Sequence, residues 1–207
     1  MIKKTISFNG IDNCGKTTII NRLSRCYECF IASDPFKYIN VNISKQDMFS
    51  IWFEDKNISK LCDLIKFSIE ERYNTILKNN FDLCLMDKGC YNFVARIAAA
   101  LKTRGYSDDM IENLLIECQL KKEYIDIETI KILIVRNDII DINSLDNSFN
   151  IEQNKIYYKY LCEQNSILMK QRNNNLYDFV LINDKIEDIT NKIGEIIDKK
   201  YGKYNIT

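Results

Sequence analysis

The chain has 207 residues, and its 29 Lys+Arg balance 29 Asp+Glu, so a blanket electrostatic affinity for nucleic acid or anionic membrane is not expected. Hydrophobic residues make up 46% and charged residues 28%, which suits one sizeable core and excludes intrinsic disorder, and no apolar run approaches the roughly 20 residues of a membrane span. The absence of histidine excludes Ser-His-Asp and Cys-His hydrolases and the zincins. In chain order, residues 1–4 lead straight into a strand over 5–9, so the start reads as structural and not as a signal peptide. A glycine-bearing turn and a helix over 16–25 follow, then a short strand over 27–33 that ends before Asp34-Pro35. Leu61, Leu64, Ile65, Ile69, Tyr73 and Ile76 recur near a 3.6 period and predict a helix over 60–77. Residues 82–86 form a short apolar run closed by Asp87, the pattern of a buried parallel strand. Helices are expected over 91–103 and 107–122, the second opening on Ser107-Asp108-Asp109 as a cap with acidic residues in the first turn. A buried strand at 130–135, a polar irregular segment at 137–150, an amphipathic helix at 151–172, a strand at 179–182 and a helix at 186–199 complete the chain. Five strands alternating with helices imply an α/β fold with a mainly parallel sheet flanked by helices.

The eight cysteines are scattered, and only Cys26 and Cys29 have the spacing of a metal pair. With no second pair and no histidine to complete a site, they read as reduced thiols of a cytoplasmic protein.

The strongest motif is Gly10-Ile11-Asp12-Asn13-Cys14-Gly15-Lys16-Thr17-Thr18, which fits G-x-x-x-x-G-K-[ST] between an apolar strand and an amphipathic helix. Two glycines let successive backbone N–H groups curl inward around phosphate oxygens, and the following helix adds its positive end. Gly10, Asn13, Cys14, Gly15, Lys16, Thr17 and Thr18 are therefore the candidate ATP-binding residues, with Lys16 on the β/γ-phosphates and the Thr17 hydroxyl on Mg²⁺. Asp87 would stand at the carboxyl edge of a strand beside this loop, where it could join the magnesium shell or position an acceptor. No Asn-Lys-x-Asp of a base-reading GTPase is present, and a chain this small fits a nucleotide or small-molecule kinase.

The sequence resembles the thymidylate kinase family and, more distantly, the deoxynucleoside kinases. Phe8-Asn9-Gly10-Ile11-Asp12 through Thr18 is similar to the family's F-E-G-x-D-x-x-G-K-[ST]-T opening, and Asp34-Pro35 to its acid-Pro. Asp87-Lys88 stands where the family has Asp-Arg, and Asp146-Asn147-Ser148-Phe149 with the Tyr-rich helix resembles the segment after the lid. Residues 180–183 with Ile186-Glu187-Asp188-Ile189 resemble the last strand, adenine-side loop and final helix. The resemblance implies a single P-loop kinase domain over 1–207 with a short lid at 137–150. It implies Mg·ATP-dependent phosphoryl transfer to a nucleoside monophosphate, dTMP to dTDP, and a two-fold homodimer.

Position by position, the resemblance makes Lys16, Asp12, Asp87 and Lys88 catalytic, with Thr17 and Asp87 on the metal. It makes Asp12, Asp34, Lys88 and Asn92 acceptor-binding. Counting back from Asp87 without gaps puts Lys66 at the family's acceptor-site arginine, or Arg72 if the helix is offset. Arg96 stands where the family has an aromatic residue, either as a cation for a different acceptor or as a surface helix residue. The family's catalytic arginine comes from the phosphate loop or the lid, whereas Asn13 and Cys14 occupy the loop and 137–150 holds no arginine or lysine. These departures keep two further functions open: a kinase of a nucleoside or other small metabolite, and a catalytically weak ATP-binding switch. Tyr157, Tyr158 and Tyr160 could stack a base or pack their helix; Trp52 and Phe53 could line the acceptor pocket or anchor a core helix.

Overall fold

Thr5, Ile6 and Phe8 begin a strand that is buried on both faces, as the centre of a parallel sheet requires. The computed structural model describes residues 4–38, 43–55, 57–117, 122–136 and 149–202. The strands are β1 (Lys4–Asn9), β2 (Phe30–Ala32), β3 (Leu83–Asp87), β4 (Ile130–Val135) and β5 (Phe179–Ile182). They form one all-parallel sheet in the order β2-β3-β1-β4-β5. The helices are α1 (Lys16–Leu23), α2 (Lys45–Phe53), α3 (Ile58–Lys78), α4 (Cys90–Thr103), α5 (Asp108–Glu117), α6 (Lys122–Ile127), α7 (Ile151–Asn173) and α8 (Ile186–Tyr201).

Alternation along the strands divides the core between two faces. Ile6, Phe8, Leu83 and Leu85 join Ile19, Ile20 and Ile193 in one cluster, beneath α1 and α8. Cys84 and Met86 point the other way, into a second cluster with Ile65, Ile69 and Tyr73 of α3, Phe93 and Ile97 of α4, and Tyr160 and Leu161 of α7. Each fully buried aliphatic or aromatic side chain stabilises the fold by about 1.5–3 kcal/mol. The chain reaches β2 on one side of β1 and β4 on the other. The carboxyl ends of β1 and β3 therefore lie together, with Phe8 opposite Asp87, at the point where such sheets bind ligands.

Several elements differ from those expected. The second strand shortens to Phe30–Ala32 because Tyr27 turns to α8, where its hydroxyl lies 3.1 Å from the Gly194 carbonyl and from Asp198. Of the helix expected over 107–122, α5 is described over Asp108–Glu117 and α6 runs from Lys122 to Ile127, and residues 118–121 lie outside the described residues. Ser107 does accept from the Met110 amide at its start. A helix not expected, α2, is capped by the Ser44 hydroxyl accepting from the Asp47 amide, and its short length hides its period. A 3₁₀ turn over Pro35–Tyr38 precedes it. The lid expected at 137–150 lies outside the described residues except for Phe149 and Asn150, and Asn150 forms a capping box with Gln153 at the start of α7.

Candidate active site

The phosphate loop follows β1 and holds its shape by left-handed backbone at Asn13 (φ 62°) and Gly15 (φ 93°), with Gly10 at φ 142°. A Cβ at Gly10 would strike the Ile134 carbonyl, so only glycine fits there. Four side chains turn the loop's carbonyls outward. The Lys16 ammonium donates to Gly10 and Ile11 carbonyls at 3.1 and 2.6 Å, and Asn92 Nδ2 to Gly10 at 2.7 Å. Arg136 donates to the Asn13 carbonyl at 3.1 Å, and Asn183 Nδ2 to the Cys14 carbonyl at 2.8 Å. With these carbonyls held, the loop's N–H groups are free to face an anion in the concavity, at the head of α1.

This loop forms one wall of a cavity of about 530 Å³ that Thr17, Thr18, Asp87, Lys88 and Ile186 also line. The Thr17 hydroxyl donates to Asp87 Oδ2 at 2.8 Å, while the buried Oδ1 of Asp87 has no hydrogen-bond partner among the described residues. A hydroxyl and a carboxylate with one orphaned oxygen form an all-oxygen donor set that fits Mg²⁺ beside a phosphate loop. Cys14 is fully buried in the core, with its sulfur accepting from the Lys16 ammonium at 3.5 Å and its carbonyl held by Asn183.

A second cavity, of about 190 Å³, is walled by Met48, Phe49, Trp52 and Phe53 of α2 and by Phe149, Tyr157 and Tyr160. Trp52 and Phe53 therefore do both things open to them: they line the pocket and pack the core beneath α2. Tyr157 and Tyr160 line the pocket as well as packing against the core, with their rings stacked at 5.8 Å, while Tyr158 packs against the core and lies outside the pocket. Arg96 is buried and not a surface residue, with its guanidinium 5.0 Å from the Trp52 ring and its Nε 3.2 Å from the Tyr160 hydroxyl.

Between the cavities lies a charge network. Lys88 Nζ is 2.6 Å from Asp34 and 3.2 Å from Asp12, and Arg96 is 3.3 Å from Asp34. Burial alone would raise both carboxyls, but the Lys88 and Arg96 charges outweigh it and hold Asp12 and Asp34 well below the usual carboxylate range. For Lys88, burial and the Arg96 charge oppose the ammonium, and Asp12, Asp34 and Asp87 more than compensate, keeping it above the ordinary lysine range. Burial pushes the Tyr160 phenol up to about 12 against the pull of Arg96. Burial, with the Asp12 charge added, raises Tyr157, whose hydroxyl donates to Asp12 at 3.2 Å.

Lys16, Thr17, Thr18, Asp12, Asp87, Lys88 and Arg96 thus line two adjoining cavities, and Asp34 joins them through its ion pairs with Lys88 and Arg96. Lys66 does not join them: it is exposed on α3 and lines neither cavity. Six residues on, or about 240° around the helix, Arg72 is fully buried and its Nη1 donates to the Asp87 and Lys88 carbonyls at 2.9 and 2.8 Å, so it holds the turn, while its Nε and Nη2 have no hydrogen-bond partner among the described residues. Asn92, expected near the acceptor base, is buried and its amide nitrogen ties the phosphate loop at Gly10. Arg136 and Asn183 each reach the loop from the end of another strand, β4 and β5, a placement that no local motif in the sequence marks.

No protein-family model and no curated protein sequence matches the chain. Solved structures do resemble it in fold. Thymidylate kinase from Candida albicans superposes with a TM-score of 0.70 at 12% identity, covering 99% of this chain and 95% of that one. A NadR protein in complex with NR gives 0.59 at 14% identity, covering 94% of this chain and 51% of that one. Thymidylate kinase from Ehrlichia chaffeensis gives 0.51 at 16% identity, covering 94% and 98%. The chain has the P-loop kinase fold of these thymidylate kinases.

Proposed function

We propose that the protein is a Mg·ATP-dependent kinase that phosphorylates a nucleoside monophosphate, thymidylate-like by its fold neighbours. The observation that carries this reading is that Asp12 lines both cavities, so the phosphate loop and the aromatic pocket open onto one charged junction. The loop's N–H groups would hold the donor phosphates, and Lys16 would exchange its loop carbonyls for phosphate oxygens. Thr17 and Asp87 would hold magnesium, which neutralises charge on the transferring phosphoryl group. The aromatic walls would stack a base, and Lys88 and Arg96 would face the acceptor. The phosphoryl group passes in line to an acceptor oxygen and leaves ADP, so catalysis is mainly positioning and charge neutralisation. By the same resemblance the protein would work as a cytoplasmic two-fold dimer, which light scattering checks.

A second reading has its own support. Lys88 and Arg96 already share Asp12 and Asp34, so the junction holds two positive and two negative side chains. An acceptor phosphate would have to compete with both carboxylates, whereas a hydroxyl acceptor could donate a hydrogen bond to one of them without displacing either ion pair. A coupled ADP-release screen over nucleosides, monophosphates and small metabolites, with and without Mg²⁺, separates the readings. Turnover with monophosphates supports the first and turnover confined to hydroxyl acceptors the second. ATP binding with no turnover on any acceptor would leave a nucleotide-binding switch.

A further inference from the structure

Lys88 sits on a strained turn, at φ 67° between β3 and α4, and its backbone is gripped from two sides. Its amide donates to the Phe8 carbonyl at 3.0 Å and the Gly89 amide to Asn9 Oδ1 at 3.1 Å, so the turn extends the sheet. Arg72 takes the carbonyls of Asp87 and Lys88. The first amide of α4 has no cap from its own sequence, because the N-cap residue is Gly89. Glu128, just before β4, supplies it: its Oε1 accepts from the Cys90 amide at 2.6 Å and from the Tyr73 hydroxyl at 2.9 Å. The other oxygen, Oε2, lies where a side chain on residue 89 would go, since a Cβ there would strike it as well as Ser7. Glu128 is 3% exposed and 38 residues away in sequence from the amide it caps.

We infer that Glu128 is a positioning residue, a remote cap whose carboxylate fixes the head of α4 and thereby aims Lys88 at Asp12 and Asp34. A carboxylate suits that place because it meets both an orphan amide and the positive end of the helix. Glycine at 89 is required so that the carboxylate can approach. The proposal rests on the kinase reading for its effect on the acceptor, but not for its effect on the turn.

Amide hydrogen exchange and steady-state kinetics on wild type, Glu128→Gln, Glu128→Ala and Gly89→Ala test it. Exchange over residues 88–92 should quicken about fivefold in Glu128→Ala, the counterpart of losing a cap worth about 1 kcal/mol, and less in Glu128→Gln, which keeps an acceptor oxygen. Gly89→Ala, which expels the carboxylate, should behave like Glu128→Ala, and residues 14–18, beyond the Gly10 carbonyl that Asn92 holds, should exchange unchanged. KM for the acceptor should rise about fivefold while KM for ATP stays constant, a split that a purely structural role would not produce. Unchanged protection at 88–92 in the folded Glu128→Gln and Gly89→Ala proteins overturns the proposal, as does an equal rise in both KM values. A wild type that turns over no acceptor defeats the kinase reading alone, and exchange still decides whether Glu128 holds the turn.

Discussion

The donor loop and the acceptor pocket meet at Asp12, yet the chain builds them in opposite ways. The loop is one continuous run, 10–18, whose backbone N–H groups and one side chain, Lys16, are its working parts, and its supports at Asn92, Arg136 and Asn183 hold that backbone in shape. The pocket draws its walls from α2, α4, α7 and the segment before α7, and its working parts are side chains held by one another. A backbone site tolerates neighbours that vary, because any residue supplies an N–H. A side-chain network depends on each member, because removing one charge strands its partners.

The largest effect should come from the donor side. Lys16→Ala is expected to lower ATP-dependent turnover by about 10²–10³-fold, as for loss of a single preorganised charge donor at a reacting phosphate. Circular dichroism should stay native. Because Lys16 also ties Gly10 and Ile11, the loop's own amides should exchange faster. Unaltered ATP affinity and turnover in that variant would sink the assignment of the loop.

On the acceptor side, Lys88→Met should destabilise the protein by about 2–3 kcal/mol, since Asp12 loses its nearest cation and Asp34 keeps only Arg96. In a domain of this size that lowers Tm by several degrees, readable by calorimetry. The network also predicts a pH dependence. Asp12 and Asp34 have folded-state values below their ordinary 3.8, so their contribution is complete above about pH 5 and is lost as pH falls from about 4 toward the lower folded values. Lys88 is shifted the other way: its contribution is complete below 10.5 and is lost only as pH rises above it. Urea denaturation should therefore give a plateau between about pH 5 and 10 with an acid-side decline, and Lys88→Met should flatten that decline. A wild-type stability that falls between pH 7 and 5 would contradict the network.

Lys88→Arg sharpens the choice between acceptors. A guanidinium can grip a phosphate through two parallel hydrogen bonds, so monophosphate affinity should improve by about 1 kcal/mol while nucleoside affinity stays level. Titration calorimetry with both ligands reads the difference; complete loss of turnover with the fold retained would remove thymidylate as the acceptor. The smallest effect belongs to the pocket's frame. Asn150→Ala should cost about 1 kcal/mol through loss of the capping box at α7, measured by thermal melting, and should leave ATP binding unchanged.

Much of the architecture was legible from residues alone. Ile130–Val135 and Phe179–Ile182 form strands at the bounds their apolar runs imply, and α3, α4, α7 and α8 start and end within a few residues of their periodic patterns. The phosphate loop was legible for the same reason: spacing along the chain determines which backbone groups face inward, so a local pattern carries the geometry. Asp87 and Lys88 could be placed because they close a strand whose neighbour carries that loop. Tertiary packing alone decided the rest. It buried Arg96 among Trp52, Phe36 and Phe93, left Lys66 in solvent, turned Arg72 onto carbonyls and brought Asn92, Arg136 and Asn183 to the loop. It also set Glu128 against the Cys90 amide. A side chain's partners depend on the rotation and register of whole helices and strands, and turning α3 by about 120° would bring Arg72 to the face that Lys66 now presents to solvent without altering the periodicity that makes it a helix.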